Sequence, residues 1–293
     1  MTTQPAGASG RFRVGLVQLR TGRDVEANLV ATTDLIRAAA RGGAQYVQTP
    51  ENTNIMEMDR ARLFVATRPE EGNPVLAHYR ALARELGIWL HLGSVGVAVS
   101  ADKIANRALL IDPKGVIVAR YDKLHMFDVT LPGGESYRES RNFAPGATAV
   151  VADLPWCRLG ITICYDLRFA HLYRALAKAG AQVLTVPSAF TRQTGEAHWH
   201  VLLRARAIET GCWVLAAAQG GRHENGRATF GHSLVVAPWG EVVAEGGIDP
   251  MVVFADVDCA KVEEARQRVP SLEHDREFEV VEASSQKRAS EVT

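Results

Sequence analysis

The sequence predicts an α/β protein in which helices pack over mixed β-sheets. Short β-like runs alternate with amphipathic helices of crossover length, as parallel neighbours in a sheet require. Several later strands follow one another through tight turns, so antiparallel pairs must join the parallel ones. The stretch from Asn106 to Lys123 holds two strands with no helix between them, which a barrel of strictly alternating strands and helices does not allow.

The elements read as follows. "FRVGLVQL" is β-like, and "DVEANLVATTDLIRAAARGGA" carries apolar residues at helical spacing, with Asp24 as N-cap and Gly42-Gly43 as the stop. "AQYVQTP" is a short strand ending at Pro50, and "NPVLAHYRALARELG" is a second amphipathic helix closed by Gly87. "IWLHLGSVGV", "NRALLID" and "GVIVARYDK" are strands, the last two joined by the turn "PKG". Residues 124–146 read as a long loop. The alternation then resumes with strand "RLGITIC", helix "AHLYRALAKAGA", strand "QVLTVPS" and helix "AHWHVLLRARAIETG". Strands "CWVLAAAQ", "HSLVVAP" and "MVVFADVD" complete the pattern.

The chain has 293 residues, 47% apolar and 23% charged, enough for a sizeable core. No linker or repeat divides residues 11–282, whereas "MTTQPAGASG" reads as a disordered leader and residues 283–293 as a flexible tail. Lys+Arg and Asp+Glu are 33 each, so no charge excess draws the protein to nucleic acid or anionic lipid. No apolar run has membrane-spanning length and no signal pattern opens the chain, so a cytoplasmic protein is expected. Cys157, Cys164, Cys212 and Cys259 are widely spaced without a CxxC pair, which suggests neither a zinc site nor a disulfide framework.

Three strand ends deliver reactive groups: "YVQTPEN" brings Glu51, "VIVARYDKLHMFD" brings Lys123 and "GITICYD" brings Cys164. Catalytic residues of α/β proteins gather where loops leave strand C-termini. A thiol must lose its proton to attack a carbonyl, and a carboxylate can take it. A fixed ammonium and a backbone N–H can hold the resulting oxyanion, and the same acid can protonate the leaving amine. Singly, each residue has a plainer reading: a buried thiol, a turn carboxylate and a rim charge. A Cys–His enzyme ranks lower, because His125, His171, His198 and His200 lie in no partner motif. His198 and His200, two apart on a helix, face different sides and make a poor metal pair. His232 in "FGHSLVV" reads as a hydrogen-bonded core or rim group.

At these residues the chain resembles the nitrilase superfamily of carbon–nitrogen hydrolases. "TPEN", "YDKLHMFD" and "GITICYDLRFAHLYRALAKAGAQVLTVPSAF" are similar to its three signature segments. "TGEAHWHVLLRARAIETGCWVLAAAQ" and "GHSLVVAPWGEVVA" resemble the Nit branch. The resemblance covers Arg11 to about Asp258. It implies a four-layer αββα sandwich with two mixed sheets and a homodimer or higher homo-oligomer. It also implies an amidase with Glu51 as base and then acid, Lys123 on the oxyanion and Cys164 as nucleophile, the N–H of Tyr165 completing the hole. A second glutamate should position substrate and lysine; Glu135 and Glu139 are both available, and counting back from Pro145-Gly146 selects Glu139. Asp166 would brace the turn after Cys164. Arg168 either meets a substrate carboxylate or forms a structural ion pair. No metal or organic cofactor is expected. The branch includes amidases of deaminated glutathione and ω-amidases of short dicarboxylic monoamides, and the segment from Glu209 to Ser233 resembles the former. N-carbamoyl hydrolysis stays open, as do a catalytically silent dimeric binding module and a redox-sensing Cys164. The last would need a nearby resolving cysteine, and Cys157 sits at the far end of the same strand.

Overall fold

Two halves of the chain repeat one pattern, strand–helix–strand–helix–strand, and each repeat makes the parallel centre of a sheet. In the computed structural model, which describes residues 10–282, Arg11–Gln18, Tyr46–Gln48 and Trp89–Ala98 run parallel. The helices Val25–Arg41 and Pro74–Leu86 make the crossovers. Antiparallel strands extend this centre on both sides, Met251–Asp258 beyond Arg11–Gln18, and Ile104–Ile111 then Ile117–Asp122 beyond Trp89–Ala98. The second centre is Arg158–Ile161, Val183–Thr185 and Trp213–Ala216, linked by helices Ala170–Lys178 and Arg192–Thr210. Val150–Asp153 flanks it on one side, Leu234–Val236 and Val242–Glu245 on the other.

Period-two alternation sorts each strand between two cores. From Arg11–Gln18, Phe12, Val14 and Leu16 join the core shared with Leu159, Ile161 and Leu184 of the second sheet. Val17 faces the other way, onto Ile36 and Ala39 of one helix and Tyr79 and Leu82 of the next. Trp199 and Leu203, from helix Arg192–Thr210, cover the outside of the second sheet. The result is a four-layer αββα sandwich with two mixed sheets.

The expected helix ends are present. Asp24 accepts from the N–H groups of Glu26 and Ala27 at 2.8 and 3.1 Å, satisfying donors that an N-terminus leaves free. Gly87 closes its helix at φ +65°, a left-handed position that glycine takes without strain.

The span 124–146 is more ordered than expected. It holds an antiparallel hairpin, Asp128–Thr130 with Ser136–Arg138, a 3₁₀ turn Glu139–Arg141 and a two-residue strand, Phe143–Ala144. Short helices Arg60–Ala66 and Ala260–Arg268, and strands Val150–Asp153 and Val242–Glu245, also add to the predicted elements. The second-half helix predicted from "AHWHVLL" begins earlier, at Arg192, because Thr191 caps it. Apart from Gly10, the predicted leader and tail lie outside the described residues. Among the described residues no helix is long and apolar enough to cross a membrane.

Candidate active site

Cys164 owes its position to a break in a buried strand. After Arg158–Ile161 the chain turns into a short 3₁₀ helix, Cys164–Arg168. Cys164 takes φ +49°, a conformation that costs a non-glycine residue on the order of 1–3 kcal/mol. Five contacts hold this turn. The Cys164 N–H donates to Pro187 O at 3.0 Å. Asp166 Oδ2 accepts from the Ile163 N–H at 2.9 Å and from the Tyr121 hydroxyl at 2.6 Å. Asp166 Oδ1 accepts from the His125 N–H at 3.1 Å and lies 2.7 Å from His125 Nδ1. Asp166 therefore braces the turn, as expected, and also ties it to the segment that carries Lys123.

The other strand ends converge on this thiol. Glu51 follows Pro50 and precedes Asn52, itself at φ +58°. Gly93, on the adjacent strand, permits the approach: a Cβ there would lie 2.0 Å from Thr49 O and 2.4 Å from Pro187 Cβ. Lys123 Nζ donates to Glu51 Oε1 at 2.8 Å and to Glu139 Oε2 at 2.8 Å. Glu51 Oε2 accepts from the Ala189 N–H at 3.0 Å, and its carboxylate lines the same cavity as the Cys164 thiol, close enough for the two to shift each other's pKa. Glu139 Oε2 also accepts from the Phe127 N–H at 2.6 Å. Glu135 instead meets the Tyr137 hydroxyl, so Glu139 is the second carboxylate of the cluster. Tyr165 occupies the first turn of the 3₁₀ helix, where N–H groups lack partners within the helix.

Sequence reasoning missed Asn106. It is buried, and its Nδ2 donates to Glu51 Oε1 at 2.9 Å and to Glu139 Oε1 at 3.2 Å. The signal was a polar side chain in an otherwise apolar strand, one position before the register partner of Asp122. It missed Arg227 too.

Burial and charge set the protonation pattern. Glu51, Lys123 and Cys164 are 3%, 2% and 7% exposed. Burial would raise the Glu51 pKa, but the Lys123 charge and hydrogen bonds from Lys123 and Cys164 pull it below the usual value. Burial would lower Lys123, yet the charges of Glu139 and Glu51 push it well above the usual lysine range. Burial, then the charge of Glu51, raises the Cys164 thiol against the opposing pull of Lys123. The resting cluster is thus a neutral thiol on a carboxylate, with an ammonium shared by two carboxylates.

These groups open into a cavity of about 580 Å³ lined also by Tyr165 and Arg168. Arg168 has no carboxylate partner among the described residues; its Nη2 lies 3.2 Å from His198 Nδ1. The expected ion-pair alternative for Arg168 is therefore absent there. Away from the cavity, ligand atoms of His200, His232 and Glu245 lie within 4.8 Å of one another, a grouping able to hold a metal. Glu245 Oε1 sits 3.0 Å from His200 Nε2 and 2.7 Å from His232 Nδ1, so the carboxylate already bonds to both histidines. His232 is the hydrogen-bonded rim group expected of it. All four cysteines are free thiols.

The chain is similar to known proteins over most of its length. Residues 13–267 match the carbon-nitrogen hydrolase family. The chain is 40% identical over 266 residues to the deaminated glutathione amidase of Yersinia enterocolitica, covering 90% of this chain and 92% of that one. It superposes on the crystal structure of the Caenorhabditis elegans NitFhit protein with a TM-score of 0.86 at 38% identity, over 92% of this chain and 66% of the other. A variant of the amidase from Nesterenkonia sp. AN1, 27% identical with a TM-score of 0.75 over 92% of this chain and 97% of that one, shows covalent addition of the acetamide moiety of fluoroacetamide at its active site cysteine. A match over most of the length, joined to the αββα fold, settles the assignment: the chain belongs to the carbon-nitrogen hydrolase family, in the Nit branch of the nitrilase superfamily.

Proposed function

We propose that this protein is an amidase that cleaves a small carboxylate-bearing amide through a thioester on Cys164, and that its substrate is deaminated glutathione. The reading rests on one observation: a thiol, a carboxylate and an ammonium meet at a cavity whose Arg168 lacks an acidic partner.

The steps balance as follows. Cys164 Sγ adds to the amide carbon while its proton passes to Glu51. The oxyanion is held by Lys123 Nζ and the Tyr165 N–H. Glu139 and Asn106 keep the lysine and Glu51 in place. The C–N bond breaks as Glu51 returns the proton to the leaving nitrogen, leaving a thioester. Water then gives a proton to Glu51 and adds to the thioester carbon. Collapse breaks the C–S bond, and the sulfur recovers the proton from Glu51, releasing the acid.

Deaminated glutathione carries a carboxylate on either side of the scissile amide, which suits a cavity with unpaired arginines. Release of amine from deaminated glutathione, α-ketoglutaramate and an N-carbamoyl amino acid should be measured side by side. The expected result is the highest kcat/KM for deaminated glutathione. Far faster turnover of α-ketoglutaramate would assign an ω-amidase instead, and turnover of none would favour a silent binding module.

The pH profile follows from the protonation pattern. Glu51, depressed below 4.5, remains a base across neutral pH, and the Cys164 thiol, raised above 9.0, stays protonated there. The kcat/KM of wild type should therefore be flat from about pH 6 to pH 8.5, because neither group titrates in that window. A thiolate-dependent rise centred near pH 8–8.5, the ordinary cysteine range, would contradict the pairing.

We further infer a homodimer joined through helix Arg192–Thr210, where Val201 and Ile208 are exposed, as is Trp239. Sedimentation equilibrium should give twice the chain mass, and Ile208→Asp should shift it to the monomer. A cytoplasmic setting accords with four free, buried cysteines.

A further inference from the structure

The cavity has an excess of positive charge that the triad does not use. Among its acids, Glu51 and Glu139 bind Lys123, Glu57 binds Arg23 at 3.3 Å, and Asp59 accepts the Arg62 N–H at 2.9 Å as a helix cap. None is left for Arg168 and Arg227, two of the five arginines that line the wall. Arg227 is the better placed of the two to read an anion. Its Nη2 donates to Ala189 O, whose own N–H donates to Glu51 Oε2 at 3.0 Å. The guanidinium carbon stands 5.1 Å from the centre of the Tyr137 ring. Nη1 has only a 4.0 Å contact with Met56 Sδ, and Nε is buried without any hydrogen-bond partner.

A buried donor left unpaired is costly, and a guanidinium already fixed by a carbonyl and a ring loses little freedom on binding. A carboxylate oxygen would satisfy the open donors and the charge together. We propose that Arg227 is a specificity-determining residue that binds a carboxylate of the substrate. The proposal rests on the amidase reading above and adds a residue that the sequence did not reveal. Arg227 lies in the segment before strand Ala228–Phe230, on an element separate from those bearing the triad.

Succinamate and butanamide are matched probes, equal in carbon count and differing in the terminal carboxylate. A charge-assisted pair of about 1.5–3 kcal/mol corresponds to about a 10- to 150-fold effect. Arg227→Met should reduce kcat/KM for succinamate at least tenfold more than for butanamide, chiefly through KM, and Arg227→Lys should recover part of the difference. Equal loss on both amides would mark a structural role through Ala189 and overturn the proposal, as would an unchanged preference. Calorimetric titration of succinate into wild type and Arg227→Met gives a second reading that needs no turnover. Succinate binding lost in the variant, with neither amide cleaved by wild type, would sink the amidase reading and leave the role of Arg227 standing. Binding that survives Arg227→Met but is lost in Arg168→Met would transfer the role to Arg168.

Discussion

Cys164→Ala should lower kcat/KM by at least about 10⁴-fold while changing unfolding free energy by no more than about 1 kcal/mol. The activity loss follows because Cys164 supplies the only thiol that lines the cavity, and removal of a nucleophile that acts as a unit with its base abolishes nearly the whole covalent route. The small stability change follows from the contacts. The strained turn is held by backbone and by Asp166, which pairs with Ile163, Tyr121 and His125, none of them through the sulfur. Alanine at φ +49° suffers the same steric cost as cysteine. Cys157→Ala, Cys212→Ala and Cys259→Ala should keep turnover, since these buried thiols lie outside the cavity. Steady-state kinetics with urea unfolding of each variant checks both halves of the expectation.

Lys123→Met should injure both activity and stability. Its ammonium serves two carboxylates, Glu51 Oε1 and Glu139 Oε2, each at 2.8 Å. Removing one partner of a buried pair strands the other charge, typically at a cost of about 3–5 kcal/mol. A lost oxyanion donor costs about 10²–10³ in kcat. Glu51, deprived of the cation that depresses its pKa, also weakens as a resting base, so a combined fall of at least about 10³-fold is expected. The stability deficit should itself depend on pH. In wild type the depressed Glu51 contributes stability that is present above 4.5 and lost only as pH falls through its lower folded value. In the variant the buried Glu51 carboxylate, without its cation, acquires a raised folded value, so its contribution is present at acid pH and lost as pH rises. The gap between variant and wild type should therefore be wider at pH 8 than at pH 5. A gap that is small, or that widens toward acid, would show that Lys123 does not hold the two carboxylates.

The parts of this site that the sequence disclosed share one property: each stands where a regular element stops. Glu51, Lys123 and Cys164 follow strands whose apolar runs end abruptly, and Glu139 could be counted from a Pro-Gly turn. Asp24 and Gly87 were readable for the same reason, since caps obey local chemistry. Asn106 was not, because its importance is a matter of register. The antiparallel pairing of Arg107 with Asp122 sets it beside Lys123, whose N–H donates to Asn106 O at 3.0 Å, a partnership fixed across strands rather than along the chain. Arg227 was hidden by topology, since it reaches Ala189 and Tyr137 from a distant segment. The three-residue strands near Asp128 and Ser136 are too short to display a period. The helix Ala260–Arg268 carries five charged residues in nine, so its two buried positions, Val262 and Ala265, left little amphipathic pattern.

The most direct measurement is covalent labelling with chloroacetamide, an amide small enough for the cavity, followed by peptide mass mapping against residual turnover. The first equivalent of carboxamidomethyl label should lie on Cys164, with activity falling in proportion to it and labelling slowed in Lys123→Met. Label going first to Cys157, Cys212 or Cys259, or turnover persisting in protein fully modified at Cys164, would contradict the assignment of Cys164 as the nucleophile.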